Sequence, residues 1–159
     1  MDNKYVKLHS LLRMFAALLA IVIFVSMFIA KQAENPDLPE YVFADFGKGA
    51  FFGGTEYFDK GNVVAFIAYL FVLLGGLAGL AFVFIDEMIG KDLTKKLSFV
   101  VGGVVLVSAV LIMLFAPMFN AFNDRKDLVT TAAPIVFGIL AVLVAACNAA
   151  APILEEKGL

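Results

Sequence analysis

The side chains that could do chemistry are few, and the most informative of them are polar groups inside long apolar stretches. Asn148 is the main candidate for a buried polar contact, because an amide surrounded by lipid needs a hydrogen-bond partner. We expect it to bond across helices in preference to binding a ligand or an ion. Hydroxyl groups in such stretches can instead bond back to their own helix. The other polar side chains within apolar stretches are Ser26, Tyr69, Ser108 and Cys147.

Motifs for catalysis or metal binding are absent from the sequence. The chain has one cysteine and one histidine, so it can form neither an intrachain disulfide nor a thiolate cluster, and His9 has no evident catalytic partner. The patterns H-E-x-x-H and G-x-x-x-x-G-K-[ST] do not occur. Carboxylates gather at the edges of the apolar stretches, where solvated loop charge is the simplest interpretation. We therefore expect no enzyme activity, no cofactor and no metal site.

Composition predicts that the chain lies in a bilayer. Of its 159 residues, 62% are hydrophobic and 16% are charged, which is more apolar than a typical soluble domain. Four apolar segments approach the ~20 residues that a helix needs to cross the hydrocarbon core, and their central portions hold no ionisable residue. The segments are 11–30, 63–85, 99–119 and 131–154. We predict an all-α fold, with one membrane domain over 1–159 built as a four-helix transmembrane bundle.

Residues near the ends of the third segment predict how this helix begins and bends. Ser98 is a suitable N-cap for a helix that starts at residue 99. Pro117 lies near the opposite end, where a proline removes a backbone donor and is expected to kink the helix.

The distribution of Lys and Arg predicts the orientation. Cytoplasmic segments carry an excess of these residues, and seven of the chain's 12 lie in the N-terminal segment, the 86–98 loop and the C-terminal tail. We therefore expect a multi-pass plasma-membrane protein with both termini in the cytoplasm and loops 31–62 and 120–130 outside. Compact loops without extracellular cysteine favour a prokaryotic source. Those seven residues are Lys4, Lys7, Arg13, Lys91, Lys95, Lys96 and Lys157.

Small residues are concentrated in the predicted cytoplasmic halves of all four segments. Gly75 and Gly79 have the G-x-x-x-G spacing, which places both on one helix face and lets a second backbone approach closely. Gly102 and Gly103 lie across the short 86–98 loop from them. We predict close packing of the second and third helices at these four glycines, with an interface between copies of the chain as the alternative.

Loop 31–62 carries more aromatic surface than a connection requires. Its stretch 41–58 is too short, and too often interrupted by glycine and charge, to be a fifth span. The outer halves of the spans are rich in phenylalanine, so we predict an ordered loop that covers an aromatic-lined cleft. An interfacial segment is favoured over a hairpin around residues 47–49, and the competing interpretation places the aromatic groups against lipid. The aromatic residues of the stretch are Tyr41, Phe43, Phe46, Phe51, Phe52, Tyr57 and Phe58.

These features favour a small, non-enzymatic membrane protein that acts through contacts, as a scaffold, an accessory subunit or a self-assembling tetraspan. Loop 31–62 would be its recognition surface or lid. Its expected partners are the lipid bilayer and either further copies of itself or a larger membrane complex, and no basic tract points to nucleic acid. The alternative is a small oligomeric channel or transporter for an uncharged or lipid-like solute, since a missing mid-membrane charge argues against ion coupling.

Overall fold

Long helices form most of the chain. The computed structural model describes residues 3–37, 50–54 and 59–159. A 3-10 helix, Lys4–Val6, precedes the first long helix. The remaining elements are α1 (Leu8–Ser26), β1 (Ala33–Glu34), α2 (Val63–Ile89), α3 (Lys91–Met113), α4 (Phe115–Phe122), β2 (Val129–Thr130) and α5 (Ala132–Glu156).

Four of these helices, α1, α2, α3 and α5, are long and apolar enough to cross a membrane. The prediction of a mostly helical chain with four such helices is thereby confirmed. The predicted start of the third helix, with Ser98 as its N-cap, is wrong. The helix α3 begins at Lys91, and Ser98 lies inside it. Gly90, with φ +90°, ends α2 and allows α3 to begin at once, since a residue without Cβ tolerates that conformation.

The long helices are arranged as a ring in which each one packs against two neighbours. α1 and α3 both lie against α2 and α5, and α2 also touches α5 across the ring. One end of the bundle, called here the terminal end, holds the start of α1, the turn at Gly90 and the end of α5. The other, called the loop end, holds the end of α1, the start of α2, α4 and the two strands.

The third span is interrupted near the loop end, where α3 stops at Met113 and α4 begins at Phe115. Pro117 has no N–H to donate to the Met113 carbonyl four residues earlier, and its ring crowds that carbonyl. Leu114 takes non-helical angles (φ −87°, ψ 20°) between the two helices. The kink expected at Pro117 is therefore an interruption of one residue. Helical hydrogen bonds continue on both sides of it, from the Leu114 N–H to the Val110 carbonyl and from the Met118 N–H to the Leu114 carbonyl, both at 3.1 Å.

Candidate functional site

The α2 glycines predicted to pack helices lie against two different neighbours. Gly75 faces Val105 of α3, and a Cβ on Gly75 would overlap that side chain. Gly79 faces Asn148 of α5, whose amide oxygen lies where a Cβ would be. The two glycines share one face of α2. That face therefore packs against both α3 and α5.

The α3 glycines do not meet those of α2. Gly102 faces α5, where its Cβ would lie 3.2 Å from the Ala145 carbonyl oxygen. Around Gly103, no heavy atom of a described neighbouring residue lies within 4 Å of where a Cβ would be. The shared contact expected between the four glycines is therefore not formed, because Gly102 is turned toward α5 and Gly103 away from the other helices.

Asn148 is fully buried between α5 and α2. Its Nδ2 donates to the Val144 carbonyl at 3.1 Å and lies 3.5 Å from the Gly75 carbonyl of α2. Its Oδ1 receives no hydrogen bond from the described residues. The amide therefore bridges two helices through its donor group, while its acceptor oxygen is unused. An unsatisfied buried acceptor costs about 1–3 kcal/mol.

Arg13 is a buried cation inside the bundle, which was not expected from the sequence. It is 1% exposed, and its Nη1 and Nη2 donate to Ser98 Oγ of α3 at 3.1 and 3.0 Å. Nη1 also lies 3.5 Å from the Gly79 carbonyl, and the guanidinium carbon is 5.4 Å from the centre of the Phe82 ring. Within the described ranges, no carboxylate oxygen lies within 4 Å of its guanidinium nitrogens.

Arg13, Gly79, Ser98 and Asn148 together form what we call the polar layer, to which each long helix contributes one residue. Gly79 is its centre, because its carbonyl faces Arg13 and its missing side chain leaves room for Asn148. The small residues at this end therefore do more than bring backbones together. They make space for polar side chains within the apolar part of the bundle.

A cavity of about 160 Å³, called here the terminal cavity, opens beside the polar layer at the terminal end. Arg13, Phe82 and Val83 line its inner part. Its rim carries charges of both signs in close pairs. The Lys4 ammonium lies 3.5 Å from Asp86 and 3.2 Å from Glu87, and the hydrogen bond to Glu87 raises the pKa of Lys4. Lys91 and Glu155 form a second rim pair at 3.5 Å.

Phe51 connects the long loop to the bundle interior at the loop end. It is fully buried, in a helical turn at 50–52. Its ring meets those of Phe66, Tyr69 and Phe115 edge-on, with centroids 6.1, 5.8 and 5.7 Å away. We call these four residues the loop-end core. The described part of the loop thus fills the space between the helix ends and does not merely cover it.

The other aromatic residues proposed for the lid are placed unequally. Phe52 is half exposed, and its ring centre lies 4.9 Å from that of Phe66. The remaining five lie outside the described residues. The part of the loop for which an interfacial segment or a hairpin around residues 47–49 is predicted also lies outside them. Those five are Tyr41, Phe43, Phe46, Tyr57 and Phe58.

Asn62 ties the loop, α2 and the break in the third span together. Its backbone N–H donates to the Ala50 carbonyl at 2.8 Å. Its Oδ1 accepts from the Ala65 N–H at 3.0 Å as the N-cap of α2. Its Nδ2 donates to the Phe115 carbonyl at 3.1 Å, a group near the interruption at Leu114. Through its backbone and its side chain, this one buried residue therefore fixes the position of Phe51 relative to two helices.

Gln32 makes a second buried tie at the loop end. Its Oε1 accepts a hydrogen bond from the Tyr69 hydroxyl at 2.9 Å, while its Nε2 donates to the Met27 carbonyl at 3.3 Å. Residues after it form the β1 strand, which pairs antiparallel with β2, Ala33 opposite Thr130. The segment after α1 is thereby fixed both to α2 and to the segment before α5.

Surface hydrogen bonds join the two connections at this end into a single structure, called here the loop-end cap (31–37, 50–54, 59–62 and 120–131). Lys60 N–H donates to Asn123 Oδ1 at 3.3 Å, and Asn123 Nδ2 returns a bond to the Lys60 carbonyl at 2.8 Å. Asn35 Nδ2 donates to Asp127 at 3.1 Å. The hydrogen bond from Arg125 to Asp127 lowers the pKa of that carboxyl group.

A groove of about 580 Å³, called here the loop-end groove, runs between this cap and α4. Its apolar walls are Phe52, Val63 and Phe122, and charged groups stand beside them. The charged lining residues are Asp59, Lys60 and Asp124.

The chain matches no family model, no curated protein and no solved structure. In the part of the chain that the structure describes, no group of three or more His, Cys, Asp or Glu side chains is placed to hold a metal ion. The candidate sites therefore rest on geometry alone: the polar layer with its cavity at one end, and the cap with its groove at the other.

Sequence reasoning missed three residues that organise these sites. Arg13 carried a usable signal, because it lies one turn before Ala16 on the same buried face of α1. Asn62 carried one too, since an asparagine directly before an apolar helix is a preferred N-cap. Gln32 carried none, because its partner Tyr69 lies on another helix and no local pattern links them.

Proposed function

We propose that the protein is a non-enzymatic membrane protein that acts through contacts made by its loop end. The observation that carries this proposal is the anchoring of the loop-end cap, in which Phe51 is buried in the bundle and Asn62 bonds to α4. A surface held by packed side chains keeps its shape before a partner arrives, which lowers the entropic cost of association. In the orientation predicted from Lys and Arg, this surface faces out of the cell.

The loop-end groove is the part of the cap best suited to a protein partner. Phe52 and Phe122 are 50% and 37% exposed, and charged residues flank them. Aromatic anchors with a polar rim are typical of protein–protein interfaces. The partner is a membrane protein or a second copy of this chain, which makes the molecule a scaffold, an accessory subunit or a self-assembling tetraspan.

Site-specific photo-crosslinking in the native membrane tests this proposal. A photoreactive amino acid replaces Phe122 in the groove, and as a matched control it replaces Val107, which is exposed on the middle of α3. We expect one discrete protein adduct from position 122 and none from 107, with the adduct mass separating a second copy from a different partner. Adducts of the same kind from both positions, or none from 122, would contradict the contact role.

The alternative, transport of an uncharged or lipid-like solute, is favoured by one observation: the terminal cavity reaches Arg13 inside α1. Proteoliposomes that contain a fluorescent phospholipid in one leaflet measure lipid movement directly. Under this alternative, movement exceeds that in protein-free liposomes and is abolished by bulky replacements at Gly75, Gly79 or Gly102. Movement equal to that in protein-free liposomes would exclude a lipid substrate.

A further inference from the structure

Arg13 lies in an environment that calls for an anion. A buried charge is costly unless it is paired and hydrogen-bonded, and an ionisable group inside a membrane span commonly marks a functional site. The structure gives Arg13 a hydroxyl, a carbonyl and an aromatic ring as neighbours. Each of these interacts favourably with a cation, but none carries a negative charge.

The carboxylates around the terminal cavity are already balanced by lysines. Asp86 and Glu87 lie close to Lys4, and Glu155 lies close to Lys91. Each rim carboxylate therefore has a lysine partner. Asp86 and Glu155 also attract Arg13 from a distance, but no described carboxylate oxygen lies within 4 Å of its guanidinium group.

The donors at the inner wall suit an oxyanion. A guanidinium group has five N–H donors in a planar fork, and the described contacts of Arg13 are three hydrogen bonds. Two donors are thus left for another acceptor, in a geometry that fits phosphate well. His9 and Ser10, in the first turn of α1, also line the cavity. The N-cap residue Lys7 gives that helix no side-chain cap, and the start of a helix carries partial positive charge.

We propose that the terminal cavity binds a phosphate group, with the Arg13 guanidinium as its direct ligand. The volume of about 160 Å³ is far above the roughly 10–15 Å³ that admits a single water molecule, so several oxygen atoms fit. The cavity opens at the end of the bundle, the region that lies nearest the headgroups when helices of this length cross a bilayer. The phosphate is therefore supplied by an anionic phospholipid of the adjacent leaflet or by free phosphate. This inference concerns the opposite end of the molecule from the proposed contact surface and does not depend on it.

Binding is measured on the purified full chain in mild detergent, in two arms. In the first, native mass spectrometry compares phosphatidylglycerol with diacylglycerol of the same acyl chains, which lacks the phosphoglycerol headgroup. In the second, inorganic phosphate is titrated by calorimetry. We expect retention of phosphatidylglycerol over diacylglycerol if lipid is the source, and a calorimetric signal if free phosphate enters. Absence of both would overturn the proposal.

Charge variants decide whether the cavity is the site. Arg13→Gln should weaken binding at least about tenfold, which corresponds to roughly 1.4 kcal/mol. Glu155→Gln removes a negative charge from the rim and should tighten binding several-fold. Glu156→Gln is its matched control, because Glu156 pairs with Lys95 and does not line the terminal cavity, and it should bind as the unaltered chain does.

The Glu155 comparison remains informative if Arg13→Gln does not fold, since loss of structure cannot produce a gain in binding. Equal affinity of the Glu155→Gln and Glu156→Gln proteins would overturn the proposal. So would a folded Arg13→Gln protein that binds phosphate or phosphatidylglycerol as tightly as the unaltered chain.

Discussion

At the terminal end, glycines and alanines let α1 and α2 approach each other closely, whereas at the loop end buried phenylalanines fill the space between helices. Gly76 of α2 lies directly against Ala16 and Ala20 of α1 at the first end. At the second, the rings of Phe115 and Phe119 on α4 are fully buried. Small residues therefore make the contact between α1 and α2, and large side chains fill the region around α4 and Phe51. Close approach also occurs near the loop end, where a Cβ on Gly138 of α5 would lie 3.0 Å from the Ala109 carbonyl oxygen of α3.

The difference shows how a bundle of apolar helices can fill two kinds of space. Small residues bring backbones together and give van der Waals contact, which drives helix association where the hydrophobic effect is weak. They also leave carbonyls such as that of Gly79 accessible to Arg13. At the loop end the long helices leave a volume that they do not fill themselves, and there a residue of the loop, Phe51, completes the core.

The largest expected effect comes from removing that residue. Phe51→Ala should lower the free energy of unfolding by about 3–5 kcal/mol, as for other buried phenylalanines, because three edge-on ring contacts are lost with it. Denaturant titration in mixed micelles, followed by circular dichroism, measures the change. Phe52→Ala is the matched control, since its side chain is half exposed, and it should cost less than about 1 kcal/mol. Equal costs would mean that Phe51 does not hold the loop-end core together.

At the terminal end, Gly79→Ala should destabilise the protein by about 1–3 kcal/mol, because its methyl group would overlap the Asn148 amide oxygen. Adding Asn148→Ala should recover most of the loss, and such a double-mutant cycle isolates the coupling between the two sites. Gly103→Ala serves as control and should be neutral or slightly stabilising, since alanine favours a helix more than glycine does. Additive effects of Gly79→Ala and Asn148→Ala would contradict this contact.

The four long apolar helices could be predicted because a helix that crosses a bilayer needs ~20 consecutive apolar residues, and such a run can be read directly from the sequence. Their limits were less predictable at Lys91–Ser98, where polar and charged residues suggested a loop although nothing in them breaks a helix. The polar, buried face of that extension includes Thr94 and Ser98. A helix can continue beyond its apolar part when the polar side chains on its buried face find hydrogen-bond partners. Here Arg13 donates hydrogen bonds to Ser98.

The candidate sites were harder to predict, because their members lie on helices whose rotation the sequence does not define. Gly75 and Gly79 were placed on one face correctly by their spacing, but whether that face meets α3 or α5 depends on the whole ring. Arg13 and Ser98 lie on α1 and α3, which stand across the ring from each other, and they meet only when all four long helices have assembled. The sequence predicts that Asn148 is a buried amide, but only the structure shows that its side chain lies against Gly79.

A moderate effect is expected at the joint between loop and helices. Asn62→Ala removes the N-cap of α2, typically about 1 kcal/mol, and also the donor to the Phe115 carbonyl, so the total should be about 2 kcal/mol. Asn62→Ser separates the two contributions, because a serine hydroxyl can cap the helix but is too short to reach Phe115 as well. We expect it to recover about half of the loss in the same titration. Full recovery would show that the contact with Phe115 contributes nothing.

The smallest effect is a pH dependence at the loop-end cap. The hydrogen bond from Arg125 lowers the pKa of Asp127, so this pair stabilises the folded chain above the ordinary carboxyl pKa of about 3.9. That stability is lost as pH falls through the lowered value. Because both side chains are partly exposed, the contribution should stay below about 1 kcal/mol. The unaltered chain should therefore be slightly more stable than Asp127→Asn at pH 6, and the difference should vanish well below pH 4. A difference that persists at low pH would mean that Asp127 acts through its hydrogen bond with Asn35 and not through its charge.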